Sequence, residues 1–73
     1  MAHPYTTVDD YPKKFREMLI RVGARFEYDS LADKLYIITS VNGPALTNSE
    51  RYSICQYLVI YKHAFKRVSF KED

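Results

Sequence analysis

The sequence predicts an α+β domain in the order helix, β-hairpin, helix. Three observations carry this prediction: hydrophobic residues change from a helical to an alternating period after Gly23, they return to a helical period after Thr47, and the chain has only 73 residues. A chain of this length builds one hydrophobic core. We therefore predict a single small domain over residues 9–73, preceded by a flexible N-terminal arm over residues 1–8, which shows no hydrophobic period.

The first helix is predicted to begin at Asp9 and Asp10, where a carboxylate can cap the first turn and Pro12 can occupy that turn without losing a hydrogen bond. One buried face follows at i, i+3, i+4 and i+7 spacing, and it consists of Phe15, Met18, Leu19 and Val22. Gly23 is placed to end this helix in a left-handed conformation.

An antiparallel β-hairpin is predicted after the first helix. Phe26 and Tyr28 alternate with charged residues, which is the pattern of a half-buried strand. Residues 35–41 are rich in β-branched and aromatic side chains and predict the second strand. Residues 29–34 would then form the connecting turn.

The second helix has the clearest start signal in the chain. In the segment from Thr47 to Glu50, the threonine hydroxyl and the glutamate carboxylate can each satisfy a free backbone N–H of the first turn. Apolar residues then recur at helical spacing. They are Ile54, Cys55, Leu58, Tyr61, Phe65 and Val68.

Two interpretations of the C-terminal residues remain open. The one we prefer continues the second helix to about Arg67, with its apolar stripe buried. The other ends the helix near Leu58, because Val59 and Ile60 favour strand, and forms a third strand within residues 61–70.

No catalytic or metal-binding constellation is visible in the sequence. Cys55 and His63 would lie about 12 Å apart along a continuous helix, too far for a hydrogen bond, and we interpret them as a core and a surface residue. One cysteine and two histidines fall short of the roughly four ligands of a structural zinc site. We therefore predict a non-enzymatic protein with no cofactor and no metal.

The single cysteine also bears on the compartment. Cys55 cannot form an internal disulfide, and a secreted domain this small would normally need several. No apolar run approaches the length of a membrane span. These features predict a cytoplasmic protein without a membrane partner.

Basic residues are concentrated towards the C-terminus. Residues 51–73 contain five Lys or Arg against two Asp or Glu, whereas residues 1–50 contain six against seven. On a continuous helix, Lys62 and Lys66 would share one side, which suits either simple solvation or an anionic partner. Tyrosine adds rigid contact anchors, although Tyr11 can equally pack against the helix start. The residues predicted to bind a partner are Tyr5, Tyr11, Arg51, Tyr57, Lys62, Lys66 and Arg67.

In length and character the whole chain resembles the small bacteriophage proteins that bind host RNA polymerase and regulate transcription. The shared features are a very short, aromatic-rich chain of mixed charge, a binding arm from Met1 to Tyr11 and no catalytic motif. The resemblance implies a role in host takeover, in the host cytoplasm. It transfers no functional residue.

These observations lead to two predicted functions. The first is a regulator that binds a host protein, in particular RNA polymerase, and the alternative is a basic nucleic-acid-binding domain that uses the C-terminal helix. A net charge of only +2 is low for a nucleic-acid binder and favours the protein partner. The chain is expected to be a monomer, or a homodimer built on Leu58, Tyr61 and Phe65.

Overall fold

The helical spacing around Phe15 forms α1, Lys13–Arg21, in the computed structural model, which describes residues 3–73. Phe15, Leu19 and Val22 are buried and Met18 is half-buried, so the predicted face of this helix is confirmed. Gly23 follows the helix at a φ of 62°, the left-handed conformation predicted for it.

The start of α1 differs from the prediction. Asp9 and Asp10 lie in a separate 3₁₀ turn, Val8–Asp10, and the N-cap of α1 is Pro12 in an extended conformation. The reason is steric, because a residue that precedes proline is pushed out of the helical region, and this interrupts the chain at Tyr11. The Asp10 carboxylate accepts a hydrogen bond from the Thr7 hydroxyl (2.8 Å) instead of capping α1.

The predicted hairpin is confirmed. Strand β1, Arg25–Asp29, pairs antiparallel with β2, Lys34–Thr39, which ends before the predicted limit at residue 41. Phe26 and Tyr28 of β1 pack against the core, as their alternation predicts. The Asp29 carboxylate stabilises the turn by accepting backbone hydrogen bonds from the next residues.

The second helix, α2, spans Asn48–Cys55 and begins at the predicted capping box. The Glu50 backbone N–H donates to the Thr47 hydroxyl (3.1 Å), and the Thr47 backbone N–H donates to the Glu50 carboxylate (2.8 Å). The helix then continues as a π-helical segment, Gln56–Tyr61, in which the Lys62 backbone N–H donates to the Tyr57 carbonyl (2.9 Å).

The preferred interpretation of the C-terminus, one helix to about Arg67, is wrong. The chain leaves the π-helical segment through His63, whose φ is 51°, and forms strand β3, Arg67–Glu72. The alternative, a third C-terminal strand, is confirmed. The helical part nevertheless extends beyond Leu58, where that alternative ended it. β3 lies parallel to β2, which makes β2 the central strand in the order β1-β2-β3.

The helices and the sheet enclose one hydrophobic cluster. Its buried members are Tyr11, Phe15, Leu19, Val22, Leu35, Ile37, Leu46, Ile54, Leu58 and Phe65. Leu35 and Ile37 point from β2 towards the helices, so the helical layer covers one face of the sheet. Ile38 is buried but lies outside this cluster, on the opposite face.

The Glu50 carboxylate links α2 to α1, and its ionisation makes the stability of the fold depend on pH. It accepts two hydrogen bonds from the Arg21 guanidinium (2.8 and 2.9 Å) at the end of α1. The backbone N–H of Thr47, and then Arg21, hold the pKa of this carboxyl below its ordinary value of 4.5. A carboxyl whose pKa is lowered by folding stabilises the fold above its unfolded pKa, and the stabilisation is lost as the pH falls through the folded value.

We therefore expect Glu50→Gln to be less stable than the wild type at pH 7, with the difference shrinking below pH 4.5. The glutamine oxygen can still accept from the Thr47 N–H, so the substitution keeps the capping box while it removes the charge and one of the two oxygens that accept from Arg21. Urea midpoints of both proteins at pH 7 and pH 3 measure the effect. A difference that is equal at both pH values would contradict the role given to the Glu50 charge.

Candidate functional site

A large concavity lies in the helical layer, between the start of α1 and the π-helical segment. It is an open groove of about 620 Å³, which we call the aromatic groove. Its lining consists of Lys14, Phe15, Tyr52, Ser53, Gln56, Tyr57, Ile60 and Tyr61.

Tyr57 is the half-buried centre of the aromatic groove. Its ring centroid lies 5.1 Å from that of Phe15, 5.8 Å from that of Tyr61 and 6.0 Å from that of Tyr5. Partial burial, followed by the neighbouring Tyr5 hydroxyl, raises the pKa of Tyr57. The hydroxyl of Tyr57 is therefore protonated at neutral pH and can donate a hydrogen bond.

Three large side chains at the groove are strongly exposed. The exposed fractions are 71% for Tyr61, 66% for Tyr52 and 58% for Ile60. Gln56 donates a hydrogen bond to the Tyr52 hydroxyl (2.7 Å), which orients the Tyr52 ring along α2. Apolar and aromatic side chains grouped in this way are typical of an interaction surface.

The groove carries positive charge and its lining contains no carboxylate. The Lys14 ammonium lies 4.9 Å from the Phe15 ring centroid, and the Lys62 ammonium lies 5.1 Å from that of Tyr61. Both ammonium groups are on exposed side chains and remain available to an incoming carboxylate. The electrostatics of the aromatic groove therefore favour an acidic ligand over a basic one.

The π-helical segment explains why the Tyr61 side chain is exposed. A widened turn shifts the following residues out of the helical phase, so Leu58 stays buried while Tyr61 turns outward. The sequence prediction that Tyr61 belongs to the buried stripe is therefore wrong. The proposed dimer stripe of Leu58, Tyr61 and Phe65 is also wrong, because Leu58 and Phe65 are buried in the core.

Of the predicted contact residues, Tyr5, Tyr57 and Lys62 lie at or beside the aromatic groove. Tyr11 lies below them, only 2% exposed, and its hydroxyl donates to the Tyr5 carbonyl (2.7 Å). Burial raises the pKa of Tyr11, and the neighbouring Asp10 carboxylate raises it further. Tyr11 is therefore a core residue at the helix start, which is the second of the two roles predicted for it.

The other predicted contact residues lie away from the groove. Arg51 packs with its guanidinium carbon 5.7 Å from the Phe70 ring centroid and so links α2 to β3. The Lys66 backbone N–H donates to the Asp33 carbonyl (3.0 Å), and Arg67 begins β3. Lys62 and Lys66 consequently do not share one side of a helix, and the predicted basic helix face does not exist.

The N-terminal residues 3–8 lie against the domain. The His3 ring stacks 4.4 Å from the Phe65 ring centroid and lies 4.5 Å from that of Tyr28. Tyr5 has a φ of 70°, a strained value for an aromatic residue, and its ring contacts Tyr11 edge to face. Met1 and Ala2, the first residues of the predicted arm, lie outside the described residues.

Sequence reasoning did not assign Lys14, Tyr52, Ile60 or Tyr61 to the site. The available signal was the position of each residue around the helix. Tyr52 and Ile60 do not share the helical spacing that places Ile54 and Leu58 on one face. Large apolar residues off the buried stripe of a helix must either be covered or face solvent.

Cys55 and His63 are the residues whose side chains could form a catalytic pair. Cys55 is half-buried on α2, His63 is exposed, and no hydrogen bond joins their side chains within residues 3–73. Across the same residues, no three His, Cys, Asp or Glu side chains are grouped closely enough to hold a metal ion. None of the helices in this range has both the length and the apolar character needed to cross a membrane.

Comparison with protein-family models, curated proteins and solved structures finds no match to this chain. The function must therefore be argued from the surface chemistry of the fold.

Proposed function

We propose that this protein is a non-enzymatic regulator that binds another protein in the aromatic groove. The observation that carries the proposal is the exposed group of Tyr52, Ile60 and Tyr61 beside the half-buried Tyr57 ring. Aromatic side chains anchored at one end and exposed at the other are the residues that contribute most binding energy in protein interfaces.

The ligand that fits the groove is an amphipathic segment with apolar anchors and acidic residues. The apolar anchors would pack between Tyr57 and Ile60, which both line the groove. Acidic side chains would meet Lys14 and Lys62 at its margins. This combination disfavours a nucleic-acid ligand for the groove, because phosphates gain nothing from the exposed aliphatic surface of Ile60.

The partner we propose is bacterial RNA polymerase, bound by a phage-type protein that alters host transcription. Support for this partner comes from the resemblance in length and character, and support for the mode of binding comes from the groove. The mechanism requires only that the bound regulator cover a polymerase surface or displace a competing factor.

The proposal is tested by measuring binding of purified, nuclease-treated bacterial RNA polymerase to the immobilised protein by biolayer interferometry. Ile60→Asp places a buried charge in the interface and is expected to weaken binding at least about 10-fold. Val41→Asp is the matched control, because Val41 has the same exposed fraction of 58% and lies outside the groove lining. It is expected to bind like the wild type.

Two results would contradict the proposal in different ways. Equal binding by Ile60→Asp and Val41→Asp would exclude the groove as the contact surface. No binding of the wild type would exclude RNA polymerase as the partner.

The alternative function predicted from the sequence was nucleic-acid binding by a basic C-terminal helix. That helix does not form. Residues 67–72 form β3, and their charged side chains belong to the sheet.

A further inference from the structure

The outer side of β1 is an open edge of the sheet. β1 pairs with β2 on one side, and within residues 3–73 no second strand pairs with its other side. The opposite edge of the sheet, on β3, is flanked by α2 and the π-helical segment. An open edge strand presents a row of unpaired backbone groups to any chain that can pair with it.

The hydrogen bonds at the end of β2 show which backbone groups of β1 point outward. The Thr39 carbonyl accepts from the Asp73 backbone N–H (2.8 Å), so the odd-numbered residues of β2 direct their backbone groups towards β3. The even-numbered residues of β2 therefore face β1, and the register pairs them with the odd-numbered residues of β1. The backbone N–H and C=O groups of Phe26 and Tyr28 consequently point away from the sheet, at the open edge.

These four backbone groups have no partner in the described part of the chain. Outside the ladder with β2, no hydrogen bond within residues 3–73 reaches the N–H or C=O group of Phe26 or Tyr28. The edge also lacks common protective features, because β1 contains no proline and no lysine, and its five-residue register has no bulge. β1 is therefore open to pairing with a further strand.

A second copy of β1, running antiparallel and centred on Glu27, matches the backbone groups of this edge. The register places Phe26 of each copy opposite Tyr28 of the other, and these pairs can form hydrogen bonds from all the outward N–H groups to all the outward carbonyls. A register centred on Phe26 fits less well, because it places Tyr28 opposite Ala24. The Ala24 N–H already donates to the Leu19 carbonyl (3.0 Å).

The charges of β1 favour the same register. Arg25 would lie opposite Asp29 of the second copy at both ends, in non-hydrogen-bonded pairs, where facing side chains approach most closely. The Arg25 guanidinium uses one nitrogen for Asp73 (2.5 Å) and has further N–H donors. Glu27 would face its own copy at the centre, which is the one unfavourable pair. A register centred on Tyr28 would instead place Glu27 opposite Asp29 twice.

We propose that this protein forms a homodimer in which the β1 strands of two copies pair antiparallel around Glu27 and join the two sheets into one of six strands. The occupant of the edge is a second copy because β1 is complementary to itself in its outward backbone groups and in its end charges. The dimer goes beyond the proposed function, since the lining of the aromatic groove contains no residue of β1.

Sedimentation equilibrium of the full chain from about 1 μM to about 1 mM measures the dimer dissociation constant. Arg25→Asp turns both end pairs into like-charge pairs and is expected to raise this constant at least about 10-fold. Arg25→Asp/Asp29→Arg exchanges the charges and is expected to bring the constant back to within about 3-fold of the wild type. The matched control is Arg67→Asp, because Arg67 is an exposed arginine that begins the other edge strand, and it should dimerise like the wild type.

The double variant also separates the dimer contact from the contact within one chain. Both Arg25→Asp and the double variant lose the ion pair with Asp73, so only the dimer contact explains a recovery. Circular dichroism confirms that each variant is folded.

Amide hydrogen exchange followed by NMR locates the interface. Exchange of the Phe26 and Tyr28 amides is expected to slow as the protein concentration rises, because these N–H groups become paired in the dimer. The Phe70 amide points away from β2 at the other edge, by the same alternation, and its exchange rate should not change. Glu27→Gln removes the one like-charge pair and is expected to lower the dissociation constant about 2- to 5-fold.

Several results would overturn the proposal. A monomer over the whole concentration range would show that β1 does not pair with a second copy. A double variant that dimerises no better than Arg25→Asp would exclude this register, and slowed exchange at Phe70 in place of Phe26 would put the contact on β3. Ile60→Asp should dimerise normally, so loss of the dimer in that variant would assign the contact to the aromatic groove.

Discussion

Replacing Leu58 with alanine is expected to lower the free energy of unfolding by about 2 to 5 kcal/mol. Leu58 is fully buried and lies in the π-helical segment, where it contributes to the cluster that joins α2 to the sheet. The change removes buried hydrocarbon and leaves a cavity that a closely packed interior fills only in part. Since small domains have total stabilities of roughly 5 to 15 kcal/mol, this loss is a large fraction of the whole.

Urea denaturation followed by far-ultraviolet circular dichroism measures the effect on Leu58→Ala. The control is Leu31→Ala, because Leu31 is 100% exposed in the β1–β2 turn and its truncation should change stability by less than about 0.5 kcal/mol. A Leu58→Ala midpoint equal to that of the wild type would mean that the π-helical segment does not pack on the core as described.

The elements predicted correctly from the sequence are those with local signals. The i, i+4 pair Phe15 and Leu19, the left-handed Gly23 and the capping box at Thr47 each depend on residues within one or two turns. Their physical causes, namely side-chain periodicity, glycine freedom and satisfaction of free N–H groups, operate before any tertiary contact forms.

The C-terminal strand could not be assigned from local signals, because β2, the strand that stabilises it, is distant along the chain. β3 pairs with β2 across the whole of α2, and parallel pairing requires such a crossover. Residues near Phe65 and Val68 fit a helical stripe as well as a strand, so local spacing does not decide between the two. In the structure these residues form a strand, because Arg67–Glu72 pair with β2 and Val68 packs against the core cluster.

The candidate sites depended on the same non-local information. Tyr61 fits the helical period of the core stripe, and only the widened turn makes it a groove residue. The sequence did identify the basic and aromatic character of the C-terminal third, which the aromatic groove uses.

Phe65→Ala is expected to lower the free energy of unfolding by about 3 to 5 kcal/mol and to release the N-terminal residues. The Phe65 ring is 2% exposed and contacts both the His3 ring and the Tyr28 ring, whose centroids are 4.4 and 5.4 Å away. Removing it leaves a cavity below β1 and deprives His3 of one of its two aromatic contacts. Urea denaturation measures the first effect, and the rate of native-state chymotrypsin cleavage after Tyr5 measures the second.

The two effects are separated by His3→Ala, which removes the contact of the arm without opening a cavity in the core. This variant should unfold near the wild-type midpoint and be cleaved after Tyr5 faster than the wild type, because its N-terminal residues lose both stacking partners. Leu19→Ala is the opposite control, because it opens a cavity in the core at a position away from His3. If the wild type is cleaved after Tyr5 as fast as His3→Ala, the stacking of His3 on Phe65 does not hold the N-terminal residues, and residues 1–8 behave as the flexible arm that the sequence predicts.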